Sequence, residues 1–323
     1  MSSLSRSVVG FLGFGGIAHG EVFDGSMYVR LPLNHLDVYV AQGVRDIVIY
    51  DLYVSNTIKT QIQLRFGNVR FRYPADLSEF LSIPYRCVSI CSPTEYHGEH
   101  LALLLSNGYQ TDAIWMEKPA WHDCSFEADL KNMLFDQPLP IHVGYWRPFL
   151  PEYNELRKQI KSRQIRPVAV RGVYSRDFLS NGSHLIDLID YLFGDLEMVG
   201  GRRLSVETLS LFGRVGEVEW SITALSNVFF NKFELEIFCQ SEVIRLERNG
   251  RIISKLVPIP DPDFPHLDII DDKRIDIPVS WNNAFGNIFL DLINPKNDVR
   301  YWRKCLIRQF KVGEVLKKAM EIV

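Results

Sequence analysis

The sequence predicts an α/β protein in two parts. Residues 1–142 form a domain on a doubly wound parallel sheet, and residues 143–323 form an α+β domain with an open, mainly antiparallel sheet. Three observations carry this reading. A length of 323 residues suits two domains better than one. Up to about residue 120, short apolar runs alternate with helical stretches, the pattern of parallel strands joined by crossover helices. Beyond residue 200, strand-like stretches follow one another without helices between them, which implies antiparallel pairing.

Taken in order, residues 8–12 (Val-Val-Gly-Phe-Leu) read as a buried strand, followed by a glycine turn and a helix starting near Gly16. Residues 46–51 form a second strand ending in an acid, Asp51, and 55–66 a helix. Residues 24–37 are expected to be an insertion before that strand. A short strand at 69–71 precedes a helix at 76–81 with Asp76 as its N-cap. Residues 87–91 are a strand running into Ser92-Pro93, 97–107 a helix stopped by Gly108, and 113–116 a strand running into Glu117-Lys118-Pro119. Residues 141–145 close the domain or bridge to the next. In the second half, helices are expected at 153–164 and 184–193, the latter stopped by Gly194. Strands are expected at 204–211, 218–224, 233–239 and 242–247, with Asn249-Gly250 as a hairpin turn. Residues 298–322 are read as a closing helix.

Composition excludes several classes. Hydrophobic residues make up 46% and charged residues 23%, ordinary for a globular protein. A net charge of −3 gives no field favouring nucleic acid or an anionic membrane. Arg157, Lys158, Lys161, Arg163 and Arg166 alternate with apolar residues at helical spacing, as on a solvated helix face. No apolar run approaches the ~20 residues of a membrane span, and the first residues lack the apolar core of a signal peptide. The five cysteines are odd in number and form no C-x-x-C pair, which argues against a disulfide scaffold or a zinc ribbon and makes a reducing cytoplasm the simplest location. His97-x-x-His100 lacks a third metal ligand at suitable spacing, so no metal is expected. Phe229, Phe230, Phe233 and Phe238 suit a core or an oligomer interface.

Gly13-x-Gly15-x-x-Ala18 follows a strand and opens a helix, the setting of the Rossmann dinucleotide turn. Gly13 permits the turn, Gly15 lets a pyrophosphate approach the backbone, and Ala18 allows close packing of helix on strand. Gly16 and Ile17 bring N–H groups of the helix start toward the phosphates. A Gly-rich turn that binds nothing is the competing reading of this stretch alone. Asp51 tips the balance, because a carboxylate ending the second strand can hold the adenosine ribose; it favours NAD, without excluding NADP. Lys118, at the end of a strand in this domain, is placed to stabilise charge on a reacting oxygen. The tripeptide alone fits a surface lysine beside a turn proline slightly better.

With these pieces in order, the chain resembles the Gfo/Idh/MocA family of NAD(P)-dependent oxidoreductases that act on sugars, cyclitols and nucleotide sugars. The resemblance rests on Gly13-Phe14-Gly15-Gly16-Ile17-Ala18, Ser92-Pro93-Thr94-Glu95-Tyr96-His97, Glu117-Lys118-Pro119-Ala120 and Gly182-Ser183-His184-Leu185-Ile186-Asp187. It implies that Ser92, Pro93 and His97 lie beside the cofactor, and that Glu117 and Lys118 face the nicotinamide ribose and substrate. His184 becomes the acid–base group. Tyr145 and Arg147, Arg176, Asn181 and Asp187 are candidate substrate contacts. Asp187 shares a helix face with His184 and could orient the imidazole, face the substrate, or only fix the helix. The resemblance also implies a homodimer or homotetramer formed through the second sheet. One departure stands out: Ser180 occupies the place, four residues before His184, where many members carry an aspartate. It leaves room for an alternative, a catalytically inactive NAD(P)-binding sensor or assembly protein.

Overall fold

The computed structural model describes residues 8–20, 34–106, 111–120, 139–205, 207–294 and 296–322. They divide into two compact units, 1–146 with 282–309, and 147–281 with 310–323. The first therefore ends slightly beyond the expected boundary at 142. It also takes back a segment that the sequence reading assigned to the second domain.

Six parallel strands of the first unit are described: β1 (Val8–Leu12), β2 (Asp46–Tyr50), β3 (Arg70–Arg72), β4 (Cys87–Ile90), β5 (Ile114–Met116) and β6 (Ile141–Val143), in the order β3-β2-β1-β4-β5-β6. β1 lies at the centre, with Val9 beside Ile47 on one side and Cys87 on the other. Being covered on both faces, β1, β2 and β4 are nearly continuous apolar runs, as parallel strands must be. Among the described residues up to 120, the helices are α1 (Gly16–His19), α2 (His35–Ala41), α3 (Asn56–Arg65), α4 (Leu77–Leu81) and α5 (His97–Ser106). Asn34, Ser55 and Asp76 cap α2, α3 and α4 through side-chain oxygens that accept backbone N–H bonds.

The expected insertion at 24–37 needs correction at its end, since residues 35–37 open α2; residues 24–33 lie outside the described residues, as do Asn107 and Gly108. α8 (Ala284–Leu292) packs against α2, β5 and β6. Its Phe289 meets Tyr39 edge-on at 5.0 Å and its Phe285 lies 5.7 Å from Trp115. These apolar contacts explain why residues 282–309 return to the first unit.

Eight strands of the second unit are described: β7 (Pro167–Ser175), β8 (Glu197–Arg203), β9 (Leu209–Val215), β10 (Val218–Leu225), β11 (Phe233–Cys239), β12 (Val243–Glu247), β13 (Ile252–Pro260) and β14 (Asp268–Pro278). Their order is β14-β13-β12-β11-β7-β10-β9-β8, and every pairing except β7 with β10 is antiparallel. The stretch expected as one strand at 204–211 divides between the end of β8's turn and β9. The hairpin expected at Asn249-Gly250 joins β12 to β13, with Arg248, Asn249 and Gly250 all at positive φ. α6 (Pro151–Lys161) and α7 (Ser183–Phe193) pack on each other. α9 (Val299–Met320) closes the chain, and Arg203 donates to the carbonyls of Met320 and Ile322.

Inward residues of the sheet are apolar: Leu209 and Leu211, Trp220 and Ile222, Leu235 and Ile237. Across the outer face, one register row runs Phe212, Ser221, Arg171, Glu236, Arg245. Arg245 donates to Glu236 at 2.7 Å. Beside this charged row, the exposed large apolar side chains on the described strands of the sheet are Val168, Val199, Phe212, Val257, Ile269, Ile270 and Ile275.

Candidate active site

In the first unit the glycine turn is built by backbone constraints. Gly13 has φ +80°, and a Cβ there would lie 2.4 Å from the Ser92 nitrogen, so only glycine fits between β1 and the turn after β4. The Gly13 N–H donates to Tyr50 O (3.0 Å) and the Cys91 N–H to Leu12 O (2.8 Å), which ties together the carboxyl ends of β1, β2 and β4. In a sheet of this order the point between β1 and β4 is where the connections reverse, and ligands bind beyond the carboxyl ends there.

Asp51 accepts the Phe14 N–H at 2.6 Å on one carboxylate oxygen and the Tyr53 N–H at 2.7 Å on the other. Each oxygen keeps a second lone pair, and the side chain is half-exposed, so Asp51 braces the turn and retains acceptors for a diol. Gly15, Gly16 and Ile17 are exposed while Ala18 is buried. A Cβ added at Gly15 or Gly16 would meet nothing within 4 Å. These two glycines border open space, a cradle that side chains would otherwise fill and that suits a pyrophosphate. Arg65, the one arginine in the helix that follows Asp51, is ion-paired with Asp37.

Ser92 and His97 are buried and Pro93 is exposed. His97 places its two ring nitrogens 2.8 Å from the carbonyls of Ser92 and Pro119, and His100 Nδ1 lies 2.9 Å from Ser92 Oγ. The two histidines fasten the turns after β4 and β5. Lys118 is half-buried, and the Lys118–Pro119 bond is cis.

Glu117 is buried. Its Oε1 lies 2.9 Å from His35 Nε2, and its Oε2 accepts the Lys118 N–H at 3.3 Å. Burial pushes this carboxyl up, but the His35 hydrogen bond and the charges of His35, Lys118 and His97 outweigh it and hold Glu117 below the usual carboxylate value. The sequence reading missed His35, as well as Ser89 and Tyr39 behind it. A visible signal was Ser89, a hydroxyl inside the apolar strand Cys87–Ile90. Among the described residues, no group of three or more His, Cys, Asp and Glu side chains is arranged to hold a metal, and no helix is long and apolar enough to cross a membrane.

In the second unit His184 is half-buried in the first turn of α7, edge-on to Phe233 at 6.5 Å. The guanidinium of Arg147 lies over the same Phe233 ring at 3.5 Å. Arg147 is buried; burial draws it down to about 10, opposed by the charges of Tyr153 and Asp187. Asp187 is fully buried, and Tyr153 donates to Gly250 O at 2.9 Å. Arg147 and His184 thus both lie against the Phe233 ring, and the charge of Asp187 acts on Arg147.

The turn before α7 (Phe178–Gly182) is capped by Asp177, whose carboxylate accepts the Ser180 N–H at 2.6 Å and also the Ser180 hydroxyl. Ser180 therefore has a carboxylate as its neighbour. The Asn181 amide donates to Ser175 O (2.9 Å) and Lys232 O (3.0 Å), fastening the turn to the ends of β7 and β11. Arg176 is exposed at the end of β7 with φ 68°. Tyr145 is buried directly after β6.

No family model and no curated protein matches the sequence. The fold is found among solved structures of Gfo/Idh/MocA-type dehydrogenases. A dehydrogenase, MviM, from Clostridium difficile is 16% identical with TM-score 0.67, over 96% of this chain and 99% of its own. UDP-N-acetylglucosamine 3-dehydrogenase GnnA from Acidithiobacillus ferrooxidans is 15% identical with TM-score 0.66, over 97% and 99%. A mutant 3-ketoreductase from Actinomadura kijaniata, in complex with TDP-benzene and NADP, is 14% identical with TM-score 0.67, over 98% and 97%.

Proposed function

We propose that this chain, which has the fold of Gfo/Idh/MocA-type dehydrogenases, is an NAD-dependent oxidoreductase acting on a hydroxyl-bearing or keto carbon of a sugar, cyclitol or nucleotide sugar. The observation that carries the reading is the junction of Gly13, Asp51 and Ser92 at the carboxyl ends of β1, β2 and β4, with Gly15 and Gly16 bordering open space. The neighbours' names, a sugar-nucleotide dehydrogenase and a ketoreductase bound to NADP, support the same class.

In this reading the backbone from Gly13 to Ala18 holds the pyrophosphate, and Asp51 holds the adenosine ribose, which disfavours a 2′-phosphate by charge. Ser92 and Pro93 flank the adenosine; His97 sets their turn; Glu117 and Lys118 face the nicotinamide ribose. The nicotinamide ring supplies hydride acceptance and donation. Lys118 holds the substrate oxygen, and His184 takes the hydroxyl proton in oxidation and returns it in reduction. Tyr145, Arg147, Arg176, Asn181 and Asp187 remain proposed substrate-side residues. The burial of Arg147 and Asp187 and the bonds of Asn181 favour positioning over direct contact for those three. The outer sheet face is the proposed surface for a homo-oligomer.

Deuteride transfer from 4-deuterated NADH to a panel of keto sugars tests the reaction. Lys118→Ala and His184→Ala should each lower kcat by about 10²–10⁴ while retaining NADH binding. Binding without transfer to any acceptor by the wild type would favour the sensor reading.

A further inference from the structure

We infer that His35 is a positioning residue for the Glu117-Lys118-Pro119 turn, acting through the Glu117 carboxylate at the end of a buried relay of hydrogen bonds. Its relevance to hydride chemistry rests on the function proposed above; the relay itself does not.

The relay runs between three elements. Tyr39 Oη lies 2.6 Å from Ser89 Oγ, Ser89 Oγ 2.9 Å from His35 Nδ1, and His35 Nε2 2.9 Å from Glu117 Oε1. All are buried. An ionised carboxylate only accepts, so His35 donates through Nε2. On its other side the ring meets the Ser89 hydroxyl, which in turn meets Tyr39 Oη, and Tyr39 also donates to Cys87 Sγ at 3.3 Å.

The ring has no freedom to leave. It stacks on Trp115 at 3.8 Å, with Phe285 edge-on at 6.0 Å. Its backbone begins α2, where Asn34 accepts the Asp37 N–H at 2.8 Å and donates to the Asp37 carboxylate at 2.7 Å. The carboxylate is also confined from the far side. A Cβ at Gly144 would lie 2.9 Å from Glu117 Oε1, so the backbone after β6 closes against it. The second carboxylate oxygen faces the Lys118 N–H. Removing the His35 donor leaves a buried carboxylate with its strongest partner missing, and the turn carrying Lys118 loses its anchor.

The groups acting on Glu117 are His35 from α2, His97 from α5, Lys118 from its own turn and the Cys91 thiol beside β4. The test reads Glu117 directly in the whole chain without cofactor. Carboxyl ¹³C NMR, assigned with Glu117→Gln, follows its titration in wild type, His35→Phe and His35→Gln. His35→Phe should raise the midpoint by about one to three pH units and weaken NADH binding at least about tenfold. His35→Gln, which keeps a donor, should restore both most of the way. If His35→Phe does not fold, Ser89→Ala removes the link behind the ring, and a smaller rise in the same direction is expected. An unmoved Glu117 midpoint in a folded His35→Phe or Ser89→Ala overturns the inference. If the midpoint rises in a protein whose wild type binds no NADH, the relay stands and the dehydrogenase reading falls. Normal NADH binding beside an unmoved midpoint has the opposite meaning.

Discussion

Glycines 13 and 15 look alike in sequence but differ physically. Gly13 is held by its positive φ and by the Ser92 backbone, so Gly13→Ala should cost about 1–3 kcal/mol of stability. Gly15 borders open space, so Gly15→Ala should leave the melting temperature unchanged while reducing NADH affinity. Differential scanning calorimetry beside a binding titration separates the two effects. His142 gives a pH prediction. Burial, then the charges of Arg308 and His35, hold its pKa well below the ordinary 6.5. The unfolded chain therefore takes up a proton that the folded chain refuses. The stability from neutral His142 is complete above pH 6.5 and is lost as pH falls below it, by about 1.4 kcal/mol per pH unit. Melting curves at a series of pH values should flatten in His142→Gln. The glycine turn, Asp51 and Lys118 were legible because each sits beside a strand end. His35 was not, because its partner Glu117 is 82 residues away and its own helix follows what reads as an insertion.

Among elements, the strands of the first sheet were legible because strands buried on both faces are short apolar runs bounded by turn residues. Four strands of the second sheet were not, among them β8 with its adjacent Gly200 and Gly201. β7 contains Pro167 and Gly172, β13 contains two prolines, and β14 is rich in acids, so none shows a clean two-residue alternation. The return of α8 to the first unit was also hidden, since it depends on contacts distant in sequence. Phe289, almost fully buried against Tyr39, tests that contact. Phe289→Ala should destabilise the protein by about 3–5 kcal/mol, measured by urea denaturation. A cost typical of a surface substitution would separate α8 from the first unit's core.

For the whole molecule, association is expected through the charged outer face of the second sheet. Its row of Arg171, Glu236 and Arg245 makes that association sensitive to sign, so Arg171→Glu should shift sedimentation toward monomer without lowering NADH affinity. The central claim is a nicotinamide site on the first unit. It is tested most directly by calorimetric titration of NADH and NADPH into wild type and Gly15→Ala. NADH should bind the wild type in preference to NADPH, and Gly15→Ala should weaken it at least about tenfold with its melting temperature intact. Absence of binding by either nucleotide, with no nicotinamide released on denaturing the protein, would contradict the claim.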